Sequence, residues 1–497
     1  MSLRNSPNGV GDEEVHEMLR PIQPSGGENG GNCENAGLIS REDQPRSSSR
    51  TPIMASRSSF DASQPTDHFT QDEVLEMNMG PPRHASWVLV AWLQLGSTIG
   101  AGVLSMASAF AGLGWAMSIF FGIFCCMLNM YCARQLHEAS ALVPGAHGIV
   151  LLSKLVVPNT VYNGFVDLLQ NIYLFLTNSA FVLLMSSTLQ YVFFDNTQLC
   201  RIVWGIIACL VVLPLMQLRN LSSLSWLLWL NLFTFYISIG IILASFIQNI
   251  DKSSAKTYIV PPDLNWVSVF NSLSKFSFSY MNTHLTLQFI SEMSDPGSFN
   301  KAFLLSVPMQ LVTYFTIGGI GYYHLGKESD ELIVLYMKRD VKFRVASGLL
   351  FVHFVVSFLI QGQVLARLLH RKFAQETIND TDFRGRLDWF LVTFSVVIST
   401  LFIANAVPVF DQIVSLIGSL TVCLAYVFPL VGIMYARRRA KQTTSTLQHC
   451  IYAAIILYSA ILFVGGLAAV IMTIIESHID DAGPFACASE IPQMADF

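Results

Sequence analysis

Two stretches of this 497-residue chain carry the residue types that hold small charged molecules inside an apolar setting. The first is Gly96-Ser97-Thr98-Ile99-Gly100-Ala101-Gly102, near the middle of a long apolar segment. A glycine inside a helix costs roughly 1 kcal/mol relative to alanine, so three of them beside Ser97 and Thr98 predict a local break. A break at membrane depth frees backbone N–H and C=O groups, which persist only where they are buried in protein or line a wet cavity. A half-helix starting near Ala101-Gly102 aims its amides and the positive end of its dipole at an anion. The carbonyls of Ser97, Thr98 and Ile99, ending the half-helix before it, suit an ammonium or a metal cation. Glycine lets a ligand approach this backbone closely, because no Cβ stands in the way.

The second stretch runs from Ser274 to His284 and is the most polar one inside any apolar segment of the chain. Its serines and Asn282 offer the backbone an alternative to the helix ladder. Such side chains also hold packed membrane helices together, and the residues alone leave both readings open. Lys275 lies within it, where a charge costs at least about 2.5 kcal/mol. Its ammonium is expected to fill a cation site, to face an anionic ligand, or to snorkel to the surface. A third candidate is His353, about ten residues into another apolar segment, with Ser357 one turn on. An ionisable group there is a functional candidate by default, and histidine titrates near neutral pH, as a proton carrier must. A neutral histidine bonded to a neighbouring helix is the alternative. Glu138, Asp167 and Glu292 lie near segment ends, where pairing with Arg134 or Lys301 is expected.

Several elements must position these groups. The chain is 52% hydrophobic and 13% charged, against about 25% charged residues in soluble domains. Its fold class is therefore an all-α membrane protein. Apolar segments of near the roughly 20 residues that span hydrocarbon lie at 86–110, 115–138, 162–193, 201–218, 222–247, 265–290, 302–325, 343–369, 388–407, 409–436 and 450–475. Pro408 and Asp411 separate the ninth from the tenth. Eleven spans with the N-terminus inside put thirteen Lys and Arg in cytoplasmic loops, among them Arg134, Arg371, Arg384 and Arg437 to Arg439, against eight outside. The stretch 476–497 carries acidic residues without Lys or Arg and is expected as a short extracytoplasmic tail. Secondary transporters often hold interrupted helices at corresponding positions of two inverted repeats. With five helices per repeat, span 6 and its Ser274–His284 stretch become the partner of span 1, and the eleventh helix is an addition.

Residues 1–85 are rich in Ser, Gly, Pro, Asn and Glu and lack a hydrophobic run. They are expected to form a disordered cytoplasmic tail, without a cleavable signal peptide. Arg46-Ser47-Ser48-Ser49-Arg50 and Arg57-Ser58-Ser59 are kinase-type sequences within it. Of nine cysteines, Cys125, Cys126, Cys132, Cys209, Cys423 and Cys450 fall in or beside apolar segments and are expected as buried free thiols. Cys200 and Cys487 are the pair placed to meet outside the membrane. A net charge of −5 gives no sign of a nucleic-acid partner. No zinc-type spacing, nucleophile motif or phosphate loop is present, so the chain does not read as an enzyme and no cofactor is expected.

Thr98 to Trp115, TIGAGVLSMASAFAGLGW, resembles the first-span signature of the amino acid/auxin permease family. Phe278-Ser279-Tyr280 is similar to that family's aromatic-small-tyrosine motif, and Ser291 to Ala302 to its E-M-x-D-P loop after span 6. Val352 to Phe358 is similar to a span 8 segment of plant members. The resemblance covers 86–475, the expected transporter domain. It implies the fold of the amino acid–polyamine–organocation superfamily, two inverted five-helix repeats around a midplane site. It also implies secondary transport of amino acids, coupled to protons or sodium. Residues Phe276 to Tyr280 would then complete the pocket, with Ser277 and Ser279 toward the substrate ammonium and Phe276, Phe278 and Tyr280 over its side chain. Sodium sites of this fold use span 1 carbonyls and span 8 hydroxyls. Ser357 supplies one hydroxyl and Val356 beside it supplies none, which favours protons. The expectation is a proton-coupled symporter of neutral amino acids, in the plasma membrane or a vacuolar or lysosomal membrane. An amino-acid sensor signalling through the N-terminal tail, or a sodium-coupled transporter, is the alternative.

Overall fold

The computed structural model describes residues 83–194, 199–218, 225–249, 256–329, 332–377, 382–407 and 409–479. The long N-terminal tail with its Arg-Ser clusters, the C-terminal tail with Cys487, and Pro408 lie outside the described residues.

The described chain is helical. In order it forms α1 (Trp87–Thr98), α2 (Ala101–Leu104), α3 (Met106–Leu142), α4 (Ile149–Val156), α5 (Thr160–Val192), α6 (Arg201–Met216), α7 (Ser225–Asn249) and α8 (Trp266–Tyr280). There follow α9 (Thr283–Glu292), α10 (Phe299–Leu325), α11 (Val341–Phe373), α12 (Phe383–Ala406), α13 (Phe410–Val422), a π turn (Cys423–Val427), α14 (Phe428–Arg439) and α15 (Thr446–Ile479). Among the described residues eight helical stretches are long and apolar enough to cross a membrane, and α1 and α6 are shorter apolar helices. The protein is thus a multi-pass integral membrane protein. Its surface carries large apolar side chains such as Phe120, Met127, Leu210 and Val464, while Ser, Thr, Asn and Gln side chains are buried inside. That distribution suits a solvent of lipid tails, in which polar groups must find partners within the protein.

Capping side chains start the helices where the sequence offers them. The Ser86 hydroxyl accepts from the Leu89 amide, and Asn159, Asn265 and Asp340 do the same for α5, α8 and α11. The first predicted segment continues to Gly114, whose φ of +74° turns the chain inside α3. A Cβ there would lie 2.8 Å from the Ile259 carbonyl, so glycine is required both for the conformation and for the space. The amides of Trp115 and Ala116, freed at this turn, donate to the carbonyls of Tyr258 and Ile259. Before α1, Ala85 exchanges backbone bonds with Glu292 and Ser294, which fastens the entry of α1 to the exit of α9.

The long helices surround α1, α2 and α8. The first half of α3 packs on α8 and α10, while α8 packs on α13 and α15, and α11 lies between α5 and α7. The α8–α13 crossing is close because Gly418 faces the Ser274 carbonyl, leaving no room for a side chain.

Two expectations need correction. Glu138 pairs with neither Arg134 nor Lys301; it takes two bonds from Arg437 of α14, at 2.8 and 2.6 Å. The planar guanidinium matches the carboxylate edge to edge, and the same group also reaches Tyr452 of α15 at 3.1 Å. Among the thiols expected to be buried, Cys450 is exposed on the outward side of α15 and Cys423 in the π turn is only half-buried. Cys200 is disulfide-bonded, and the Cys487 expected to meet it lies outside the described residues.

Candidate functional site

Both predicted interruptions are present. α1 ends at Thr98, Ile99 is extended, and Gly100 leads into α2. α8 ends at Tyr280, and Met281 and Asn282 separate it from α9. The hydroxyls of Ser97 and Thr98 fold back on the Gln94 carbonyl, each at 2.9 Å, and so close the last turn of α1. Competition of this kind with the helix ladder is what weakens it at that point.

The two breaks face each other. Ser279 shares its hydroxyl between the Gly102 carbonyl at 3.0 Å and the Lys275 carbonyl at 2.8 Å. A Cβ on Gly102 would lie 2.5 Å from that hydroxyl oxygen and 2.9 Å from the Ser279 Cα, so α2 and α8 touch backbone to backbone. Tyr314 of α10 bridges the carbonyls that the breaks release. Its hydroxyl lies 2.6 Å from the Ser279 carbonyl and 3.1 Å from that of Thr98. Gln310, one turn earlier, donates to the same Ser279 carbonyl at 3.1 Å and to Tyr314 at 3.0 Å. The composition of α10 gave no reason to single these two out, since a Gln and a Tyr four apart read as ordinary helix-packing residues.

On the opposite side of the first break, the Nδ1 of His353 lies 3.0 Å from the carbonyl of Asn231 in α7 and must donate to it. In the neutral ring this selects the tautomer that leaves Nε2 as an acceptor. Nε2 is buried without a partner among the described residues, and a Cβ built on Gly100 would lie 3.7 Å from it. Ser357 donates to the Asn231 side-chain oxygen at 3.2 Å, and the Asn231 amide lies 3.5 Å from the Gly96 carbonyl. The cluster of α1, α7 and α11 thus depends on Asn231, which no motif marked.

The five α8 residues divide. Ser279 meets the first break, but Ser277 lies about 200° around the helix from it. There its hydroxyl sits beside the Cys125 thiol and the Tyr426 and Tyr458 hydroxyls, away from Gly102. Phe276 is fully buried with its ring 6.0 Å from that of Phe110, and Tyr280 packs edge-on to Tyr314 at 5.0 Å. Phe278 is buried, with 9% of its surface exposed. Lys275 does not snorkel. Its Nζ lies 2.8 Å from Asp411 Oδ2 in the first turn of α13 and 2.9 Å from Ser108 Oγ in α3. Asp411, which the sequence presents as punctuation between two segments, is its counter-ion.

A family model described as transmembrane amino acid transporter protein matches residues 83–472. The chain belongs to this family. Its curated relatives include sodium-coupled neutral amino acid transporter 7 of Bos taurus, 22% identical over 236 residues, 46% of this chain and 51% of the relative. The chain thus spans about half the length of that transporter and of its Danio rerio and Homo sapiens counterparts. Amino acid transporter AVT1J of Arabidopsis thaliana is 21% identical over 375 residues, 70% of this chain and 82% of the relative. Among solved structures, MhsT in complex with L-phenylalanine superposes with a TM-score of 0.54 and 12% identity, covering 79% of this chain and 100% of that one. At that identity the likeness shows that this chain shares the fold of MhsT.

Proposed function

We propose that this chain is a secondary active transporter that carries neutral amino acids by alternating access, driven by protons. The observation that carries the reading is the pair of facing helix breaks, joined through Ser279, Gly102 and Tyr314. The substrate carboxylate is received by the amides from Gly100 to Gly102, at the start of the α2–α3 half-helix. The carbonyls of Ser97 and Ile99, with Ser279, face the ammonium, while Thr98 gives its carbonyl to Tyr314. Phe278 and Tyr280 border the side chain. Family membership, relatives named as amino acid transporters and the phenylalanine complex of a protein of the same fold support this assignment.

In this reading the helices make eleven spans, with α1, α2 and α3 up to Gly114 as the first and α8 with α9 as the sixth. Spans 1–5 and 6–10 form inverted repeats, α15 is the additional span, and the N-terminus is cytoplasmic. His353 is the proton carrier: its free Nε2 faces the break at Gly100, where protonation and substrate binding affect each other. Ser357 gives its hydrogen to Asn231, and Val356 beside it brings no second hydroxyl to the span 8 side of a sodium site, which favours protons.

Uptake of radiolabelled neutral amino acids into proteoliposomes, with an imposed pH gradient and choline in place of sodium, tests this. Accumulation that collapses with a protonophore is expected. Strict dependence on sodium would replace the proton assignment, and binding without flux would indicate a sensor.

A further inference from the structure

The Lys275–Asp411 contact is the one buried ion pair within the helices that carry the two breaks, among the described residues. Lys275 is 7% exposed, and its ammonium is held by one carboxylate oxygen and one neutral hydroxyl, from Asp411 and Ser108. Three helices contribute, α8 the cation and α13 and α3 the oxygens. We propose that Asp411 and Ser108 form a monovalent-cation site at the junction of α3, α8 and α13, and that the Lys275 ammonium is its tethered occupant.

The donor chemistry specifies the ligand class. Oxygen donors suit hard cations and primary ammonium groups. One carboxylate balances a single positive charge, so a divalent ion would remain uncompensated. No group of three or more His, Cys, Asp or Glu side chains gathers anywhere in the described residues to hold one. The charge also has no structural necessity. A buried ion pair is a poor way to hold apolar helices together, because desolvation offsets the attraction and a hydrophobic pair of equal volume often does as well. Removing only one partner is different, since it strands a charge.

The site is joined to the first break by one residue. The backbone carbonyl of Lys275 accepts from Ser279, the hydroxyl that also meets Gly102. About two turns along α13 from Asp411, the contact of Gly418 with the Ser274 carbonyl keeps α13 against α8. A cation bonded to the chain cannot cross the membrane. Taken with the transport reading, on which this consequence rests, the site serves as a permanent positioning charge, and the energy for transport enters elsewhere.

The test is a cation-substitution series on the full-length protein in nanodiscs, with melting temperature as readout, so that it stands whether or not the chain transports amino acids. Sodium, methylammonium and choline chlorides are compared at equal ionic strength. The wild type is expected to melt alike in all three. Lys275→Ala should melt lower in choline and recover by roughly 2 °C or more in methylammonium or sodium, as a ligand bound only by the folded state requires. Lys275→Ala/Asp411→Asn should show no difference between the cations. If Lys275→Ala is lost on purification, Lys275→Ser is assayed in its place, and recovery of folded protein only in methylammonium supports the site equally. Indifference of both single variants to the cation, or a cation response that survives Asp411→Asn, overturns the proposal.

Discussion

Gly102→Ala places one methyl group where two helices meet, and its cost can be worked from the geometry. The new Cβ lies 2.5 Å from Ser279 Oγ, 2.9 Å from Ser279 Cα and 3.0 Å from Ser279 Cβ. Rotating the serine relieves only the first contact, because the second is backbone, so α2 and α8 must separate. Overpacking of this kind costs about 1–3 kcal/mol, and the Ser279 bond to the Gly102 carbonyl, about 1 kcal/mol net, is lost with it. The sum is about 3 kcal/mol, or roughly a hundredfold in a rate that requires the two breaks to stay in register. Gly96→Ala is the internal control. Nothing lies within 4 Å of its Cβ and it sits inside α1, so alanine there is tolerated. Gly100→Ala is intermediate, since its methyl meets His353 Nε2 at an ordinary 3.7 Å. The assay is initial uptake at sub-saturating substrate, normalised to folded protein in the membrane. The reasoning is refuted by Gly102→Ala uptake within about twofold of wild type, or by Gly96→Ala falling as far as Gly102→Ala.

Tyr314→Phe removes the hydroxyl that meets both released carbonyls, at a cost of about 1–3 kcal/mol; both melting temperature and uptake should fall. His353→Gln keeps a polar side chain but cannot carry a proton: accumulation driven by a pH gradient should vanish while exchange of internal for external amino acid continues, and loss of both activities would assign His353 to structure alone. Arg437→Ala should destabilise by about 2 kcal/mol, below the range for a fully buried pair because the Glu138 side chain is 39% exposed. Arg437→Lys should recover only part of this in a thermal melt, since lysine cannot make the two-bond contact with Glu138.

The breaks were legible because their signals are local. Glycines, serines and threonines weaken a helix where they stand, and Gly96 to Gly102 and Ser274 to His284 did so at the two expected places. Partners were not legible wherever they lie far along the chain. Asp411 follows a segment boundary and looked like a helix start, yet it faces a lysine 136 residues away. Tyr314 and Asn231 are polar residues among others in mostly apolar helices, and only the packing of α10 on α1 and α8, and of α7 on α1, gives them these acceptors. Ser277 and Ser279 are two apart and of one type, so composition could not tell which faces Gly102. The helix turn decides it and sends Ser277 toward Cys125. The reach of α3 to Leu142, past the predicted end at 138, takes in Ala139, which is buried against the rest of the protein.

The central claim is that the break between α1 and α2 receives an amino acid. A structure of the protein bound to selenomethionine, as a neutral amino acid whose selenium is located by anomalous scattering, tests it most directly. The carboxylate is expected against the amides of Gly100 to Gly102, the ammonium by the carbonyls of Ser97 and Ile99, and selenium beside Phe278 and Tyr280. Density for the ligand elsewhere, with Gly100 to Gly102 closed over by their own protein, would contradict it.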